Sequence, residues 1–360
     1  MPIITSTDIK LLRAPLLQPF RTSLGVHKEL ENILFRVTLA NGICGYGEAA
    51  IAPHITGETI AGTFKSLETA KSFCDGKRVE HFVEISNRLH REFPGNPAAI
   101  AAVETALLDA FTRDKKIPLW RYFGKTAHAL KTDITLVLCD LAQTQRTVRK
   151  FYRWGFRMFK VKIGHDLDLD VKRLLAIKTL APRSRIIVDA NQGYTVGETM
   201  TLLNLLKKHK VRIDLLEQPV AKGDWEGLRE ISRSASVLVC ADESVGTLES
   251  ARNAVKFKLA PVFNIKIMKC GLLHAGEIAH LARKNRVRLM IGGMMESSIA
   301  MTASAHLAAG LGCFDFIDLD TPFFIKGAPR RHPYLSSDGR YDVKKVKAGI
   351  GIGPGYLYDQ

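Results

Sequence analysis

The sequence predicts an α/β protein, an eight-stranded parallel β/α barrel preceded by an α+β domain that the C-terminal tail rejoins. Three observations predict it. Eight short apolar runs follow Thr132, with helical stretches between them. Charged residues recur on those runs: Lys162, Asp189, Glu217, Asp242 and Lys266 are 27, 28, 25 and 24 residues apart, close to the roughly 25–30 residues of one βα unit. The first 125 residues lack that rhythm. Near-continuous apolar strands alternating with helices indicate a parallel sheet covered on both faces. Eight of them indicate a barrel, with the recurring charges at one height around its mouth.

In chain order, residues 3–12 and 32–39 read as strands. Asn41-Gly42 is a hairpin signal between residues 32–39 and a strand at 43–48. Helical patterns follow at 59–73, 79–92 and 97–113. The last begins after Asn96, with Pro97 in the first turn. The apolar runs that predict barrel strands are 134–138, 159–163, 186–190, 213–218, 237–242, 263–267, 289–293 and 316–320. Helices are expected at 168–180, 195–209, 225–234, 247–255, 275–284 and 299–310. The glycine-rich segment 349–355 lacks the preceding strand, the helix and the lysine of a phosphate loop. It reads as an irregular return to the first domain. The expected domains are 1–125, with 323–360 returning to it, and 126–322 for the barrel.

A hydrophobic content of 46% and a charged content of 24% are those of a globular chain. There is no apolar run long enough to span a bilayer, and the N-terminus reads as a strand rather than a signal peptide. Six scattered cysteines form no Cys-x-x-Cys pair; free thiols in a reducing cytoplasm are expected. The net charge of +16 is spread along the chain without an arginine-rich tail. It predicts a basic surface with weak polyanion binding, not a specific nucleic-acid partner.

Charges set into apolar strands are costly unless they bind something. Asp189, Glu217 and Asp242 end three consecutive runs. An ion-paired core would explain any one of them; three in register, with no Cys or His, point to a hard cation, Mg²⁺ before Mn²⁺. Lys160 and Lys162 share one strand face by period-2 alternation. Mutual repulsion is expected to lower their pKa values, and a lysine so depressed can act as a base. Lys266 falls four strands later, across an eight-stranded mouth from Lys162. Two amines facing one carbon suit racemisation or epimerisation. A divalent ion would stabilise the enediolate that forms when a proton leaves the carbon α to a carboxylate.

The motifs Lys160-Val-Lys162, Val188-Asp189-Ala-Asn191-Gln, Glu217-Gln-Pro219, Ala241-Asp242-Glu243-Ser and Asn264-Ile-Lys266 resemble those of the enolase superfamily, muconate lactonizing subgroup. Gly45-Tyr46-Gly47-Glu48-Ala49 is similar to a strand of that family's capping domain. The resemblance implies a (β/α)7β TIM-like barrel with an α+β N-terminal capping domain. It further implies Lys162 and Lys266 as the acid/base pair, Lys160 beside the substrate carboxylate, and one Mg²⁺ held by Asp189, Glu217 and Asp242. Asp318-Leu319-Asp320 looks like the Asp-x-Asp motif of dipeptide epimerases, which binds the free α-ammonium of the N-terminal residue. Two carboxylates at a barrel mouth do attract a cation. Thr135 and Gly293 resemble substrate-contacting positions, Gly293 by letting backbone approach the ligand. Members that act on Ala-Glu dipeptides are expected to carry an arginine in the first capping loop, where this chain has Gly25; glutamate specificity does not carry over.

The resulting expectation is a cytoplasmic, homo-oligomeric, Mg²⁺-dependent dipeptide epimerase with no membrane or specific nucleic-acid partner. The alternatives are another lysine-pair reaction (N-acylamino-acid racemase, o-succinylbenzoate synthase or muconate-type cycloisomerase) and, more remotely, a noncatalytic polyanion-binding protein.

Overall fold

The structure, a computed structural model, describes residues 2–356 apart from 24, 165 and 329–331. Leu24 of the first capping loop, and the parts of the predicted tail at 329–331 and 357–360, lie outside the described residues.

Three antiparallel strands open the chain: β1 (Ile4–Thr22), β2 (Gly25–Leu39) and β3 (Cys44–Ala49). The Asn41-Gly42 turn joins β2 to β3, with Gly42 at φ +79°. β1 and β2 run far beyond the expected 3–12 and 32–39. Their outer halves carry Pro15, Pro19 and several charges, so they show no apolar alternation. A backbone ladder pairs them instead, from Leu12↔Asn32 to Thr22↔Gly25 with one register shift. The inner halves pack on helices Ile60–Cys74 and Pro97–Asp114, and helix Phe82–Glu92 packs on those two. At the start of Pro97–Asp114, the Asn96 side chain caps Ala99 N–H.

The second sheet has eight parallel strands in sequential order: β5 (Ile134–Leu136), β6 (Met158–Lys162), β7 (Arg185–Asp189), β8 (Leu215–Glu217), β9 (Leu238–Ala241), β10 (Val262–Ile265), β11 (Arg288–Ile291) and β12 (Phe316–Ile317). A short pair, β4 (Leu130–Lys131) with β13 (Arg340–Tyr341), stands apart. The sheet curls until its edge strands meet: Asp133 N–H donates to Ile317 O at 2.9 Å, and Leu319 N–H to Thr132 Oγ1 at 2.8 Å. Seven helical connections join the eight strands, the sixth holding the short helix Ile267–Cys270 as well as Leu272–Lys284, giving the expected (β/α)7β barrel. One of them, Leu141–Arg153, is absent from the expected helices, and residues 53–57, outside any expected element, include a helical turn at Pro53–Thr56.

Strand alternation then builds the interior. Ile187, Leu215, Cys240, Val262, Met290 and Phe316 form one buried apolar cluster inside the barrel. Two residues further along each chain, on the same face, come Asp189, Glu217, Asp242, Asn264, Gly292 and Asp318. A plug of hydrocarbon thus carries a polar layer at the carboxyl ends of the strands. Register sets its height: Lys162 pairs with Asp189, and Asp189 with Glu217. The eighth strand ends at Ile317, two residues into the expected run 316–320. Asp318, Leu319 and Asp320 continue it as irregular chain rather than as strand.

The tail docks on the first domain. Leu17 N–H donates to Phe324 O at 2.7 Å, Leu119 N–H to Gly349 O at 2.8 Å, and Ile350 N–H to Asp109 Oδ1 at 2.7 Å.

Candidate active site

One cavity opens between the first domain and the barrel mouth. Phe20, Thr22, Gly25, His27, Ile51, Ala52, His54 and Ile55 line it from the first domain. Thr135, Lys162, Asn191, Lys266, Gly293, Met294, Met295, Asp318, Asp320 and Thr321 line it from the barrel. The β1–β2 ribbon reaches it because its tip is pinned to the barrel loops: Ser23 Oγ donates to Ala190 O and to Asn191 O, each at 3.0 Å. Phe20 packs edge-on against Phe324, with ring centroids 5.1 Å apart.

Lys162 and Lys266 come from opposite sides of the sheet, since β7, β8 and β9 lie between β6 and β10. Both ammonium groups are held by acids: Lys162 Nζ lies 2.6 Å from Asp189 Oδ2, and Lys266 Nζ 2.7 Å from Asp242 Oδ2. Lys160, fully buried, touches Asp318 at 2.7 Å, Glu217 at 2.8 Å and Asp189 at 3.0 Å. Repulsion between neighbouring lysines, taken alone, depresses Lys160. The opposite holds: burial works against its charge, but Asp189, Asp318 and Glu217 outweigh it and raise its pKa. Burial likewise opposes the charge on Lys266, and Asp242 overcomes it, raising the pKa. The acids respond in kind. Lys160 and Lys162 overcome the burial of Asp189 and hold it down to about 2. Burial and the neighbouring Asp189 push Glu217 up to about 7.

Several residues that hold this layer are given no role by the sequence, although Asn191, Gln192, Gln218 and Asn264 stand in its motifs. Lys269 is buried and donates to both Asp242 Oδ1 (2.7 Å) and Asp242 O (2.6 Å). Asn264 Nδ2 donates to Glu217 Oε1 at 2.8 Å. Gln218 Oε1 accepts from Asp242 N–H at 2.9 Å. Arg173, fully buried, donates to Lys162 O and Val137 O, each at 2.7 Å, clamping the ends of β5 and β6. Asn191, Gln192 and Gln218 take positive φ of 42°, 68° and 35°. That strained backbone, directly after β7 and β8, is sustained only because the surroundings over-determine it. The strand period is the available signal for Asn264, which sits two residues beyond Val262.

Gly293 lines the cavity, and glycine there has a second reason. A Cβ on Gly293 would lie 2.3 Å from Met301 Cε and 2.8 Å from Glu296 Oε2. Its bare Cα makes room for those side chains. A Cβ on the adjacent Gly292 would meet Asn264 Oδ1 at 2.7 Å and Lys266 Cε at 3.1 Å, so Gly292 is what leaves space for the lysine.

The acids form two groups. Among the described residues, Asp133, Asp318 and Asp320 each bring one carboxylate oxygen to within 4.8 Å of the others'. The expected metal-binding set, Asp189, Glu217 and Asp242, is spread wider, each member drawn to a lysine. Its chemistry nevertheless fits a hard cation. All donors are carboxylate oxygens, and Lys160 already places one positive charge against two of them. Three buried oxygens around the set, Glu217 Oε2, Asn264 Oδ1 and Asn191 Oδ1, accept no well-directed hydrogen bond.

Residues 6–124 match the family model of the mandelate racemase / muconate lactonizing enzyme N-terminal domain. Residues 143–355 match the enolase C-terminal domain-like model. The chain belongs to the enolase superfamily. Within the superfamily it is 46% identical over 352 residues to a hydrophobic dipeptide epimerase from Citrifermentans bemidjiense, covering 96% of each chain. It is 35% identical to an aromatic dipeptide epimerase from Herpetosiphon aurantiacus, covering 97% of this chain and 98% of that one. A crystal structure of a dipeptide epimerase from Enterococcus faecalis, complexed with Mg and the dipeptide L-Leu-L-Tyr, superposes with a TM-score of 0.92 at 28% identity, covering 98% of this chain and 99% of that one. As a superfamily member, the chain builds its pocket from two sequence regions that the separate family models match. The cavity residues from Phe20 to Ile55 fall in the first, those from Lys162 to Thr321 in the second, and Thr135 between the two.

Proposed function

We propose that this protein is a Mg²⁺-dependent dipeptide epimerase that inverts the α-carbon of the C-terminal residue. The observation that carries the reading is one cavity lined by Lys162, Lys266, Asp318 and Asp320 together. Lys162 and Lys266 approach from opposite strands, so one takes the α-proton and the other returns a proton to the opposite face. Asp318 and Asp320 attract the free α-ammonium, and Thr135 lies beside them. Lys160 supplies positive charge toward the substrate carboxylate. Asp189, Glu217 and Asp242 would hold the cation, which when bound offsets the second negative charge on the substrate carboxylate. The same cation would compete with Lys160 and Lys266 for the acids and so weaken the contacts that raise their pKa values.

Phe20, Ile51, Ile55, Met294 and Met295 give the cavity an apolar wall. With Gly25 at the position where an arginine is expected, that wall favours hydrophobic over acidic side chains. The names of the hydrophobic and aromatic dipeptide epimerases among its relatives support this preference. Other lysine-pair reactions act on substrates without an ammonium and leave two buried carboxylates at the pocket unused. We further assign the capping role to residues 1–125 together with the returning tail from 323, and barrel catalysis to 126–322. A cytoplasmic homo-oligomer completes the reading; six free thiols accord with the compartment, and sedimentation measures the oligomer. No helix among the described residues is long and apolar enough to cross a membrane.

A panel of dipeptides incubated with the protein and Mg²⁺ in D₂O tests the function. Gain of one deuterium at the C-terminal residue, strongest for apolar side chains, is expected. A panel in which no dipeptide gains mass contradicts the reading.

A further inference from the structure

Asp133 is fully buried, and neither of its carboxylate oxygens has a hydrogen-bond donor. An isolated charge in that position is costly, so the group must shed its charge or find a partner. Its backbone is fixed at the seam where the barrel closes, Asp133 N–H donating to Ile317 O at 2.9 Å. It lies just before β5, two residues from Thr135, so an extended chain turns both side chains to the same side. Thr135 pairs with Lys160. One carboxylate oxygen of Asp133 lies within 4.8 Å of one oxygen each of Asp318 and Asp320. Asp318 and Asp320 line the cavity, whereas Asp133 stands behind them.

We propose that Asp133 is a positioning residue of the ammonium subsite, a third carboxyl group that orients Asp318 from behind so that Asp318 and Asp320 face the substrate amine. This rests on the proposed dipeptide reading.

The chemistry follows from counting charges and donors. Three carboxyl groups converge, and the cation beside them, Lys160, is shared with Asp189 and Glu217. Three adjacent carboxylates cannot all ionise without strong mutual repulsion. Burial, then Asp318 and Asp320, drive the pKa of Asp133 well up, so Asp133 keeps its proton. A protonated carboxyl is a donor, and Asp318 is the acceptor beside it. That hydrogen bond gives one of the two orphaned oxygens a partner and leaves two acids, not three, opposite an incoming ammonium. The other polar groups around the cluster are already engaged: Asp320 Oδ2 accepts from Thr135 N–H at 2.5 Å, and the Tyr341 hydroxyl donates to Leu319 O at 2.7 Å. Asp133 touches no substrate atom; it acts through Asp318.

The test compares two substrates on one enzyme: a dipeptide with N-terminal alanine, and the N-propionyl derivative of the same C-terminal amino acid, which lacks only the amine. Asp133→Ala removes the donor. It should lower kcat/KM on the dipeptide about tenfold or more, the cost of leaving a buried polar group unpaired. The loss should fall on KM rather than kcat, while the slow turnover of the propionyl compound is unchanged. Asp133→Asn keeps a donor and should restore most of the dipeptide activity. Equal loss on both substrates would mark a merely structural role and overturn the proposal, as would no loss on either. A wild-type enzyme inactive on every dipeptide would defeat the proposed function itself; an active wild type with indifferent Asp133 variants defeats only this inference.

Discussion

Lys269 illustrates what a single side chain does here. It sits three residues past Lys266, on the four-residue helix Ile267–Cys270, and neutralises the Asp242 carboxylate that Lys266 also contacts. Nothing in its neighbourhood marks it in the sequence, because a lysine beside an apolar turn reads equally well as solvated. The strand lysines are legible, since a charge inside an apolar β-run is costly without a partner. Gly293 reads as ligand-facing in the sequence, but its contacts with Glu296 and Met301 depend on how the following loop and helix fold back, which spacing does not show. Lys269→Met leaves one amine for Asp242 and should cost roughly 3 kcal/mol of stability, as breaking a buried ion pair does. Urea unfolding without added metal measures it. The outer wall gives a second outcome at this scale: Asp318→Asn with Asp320→Asn should raise KM for dipeptides at least about tenfold, and unchanged turnover would remove the ammonium-binding role.

At the scale of elements, one buried carboxylate couples the cap to the barrel. Glu48, on β3, accepts from Ser297 N–H at 2.9 Å and from the Ser297 hydroxyl, while Asn32 Nδ2 on β2 donates to it at 2.6 Å and to Met295 O at 2.8 Å. Ser297 caps the helix Ser298–Leu311, whose N-terminus favours a negative charge. The loop so held carries Met294 and Met295 into the cavity, with Met294 Sδ 3.8 Å from Lys266 Nζ. Glu48→Ala strands these donors and should cost about 1–3 kcal/mol, with a fall in kcat because the loop beside Lys266 loses its anchor. Differential scanning calorimetry and initial rates check the two effects together. The Gly-Tyr-Gly-Glu-Ala motif is visible in the sequence. Its partner, some 250 residues away in Ser297, is not, because strand alternation says which face a residue takes and not what meets it there. The long β1–β2 ribbon is half-legible for a related reason: a ladder of backbone hydrogen bonds leaves no apolar alternation where both faces meet solvent.

Across the whole molecule, several carboxyls are buried with raised pKa values. Burial lifts Glu296 to about 8, Glu58 to about 7, Asp320 to about 7 and Asp109 to about 6. An acid with a raised folded pKa holds its proton more tightly when folded, so stability falls as pH climbs from the unfolded value through the folded one. Asp189 and Asp242 have lowered values; their contribution is already complete above about pH 4. The metal-free protein should therefore melt at lower temperature at pH 8 than at pH 5.5, and Mg²⁺ should raise the melting temperature by binding the folded state. Calorimetry across pH, with EDTA and then with Mg²⁺, reads both. A melting temperature that rises steadily to pH 8 in EDTA contradicts this balance. The architecture is legible because eight repeats of one period restrict the topology far more than any single element does. The net charge of +16 predicts polyanion retention that falls steeply between low and moderate salt.

The most direct measurement follows the α-proton in D₂O for Lys162→Ala and Lys266→Ala separately, with each dipeptide epimer supplied pure. Two bases on opposite faces predict that each variant loses epimerisation, while exchange of solvent deuterium survives with one epimer and reverses between the two variants. Full epimerisation by either variant, or loss of exchange with the same epimer in both, would contradict the account.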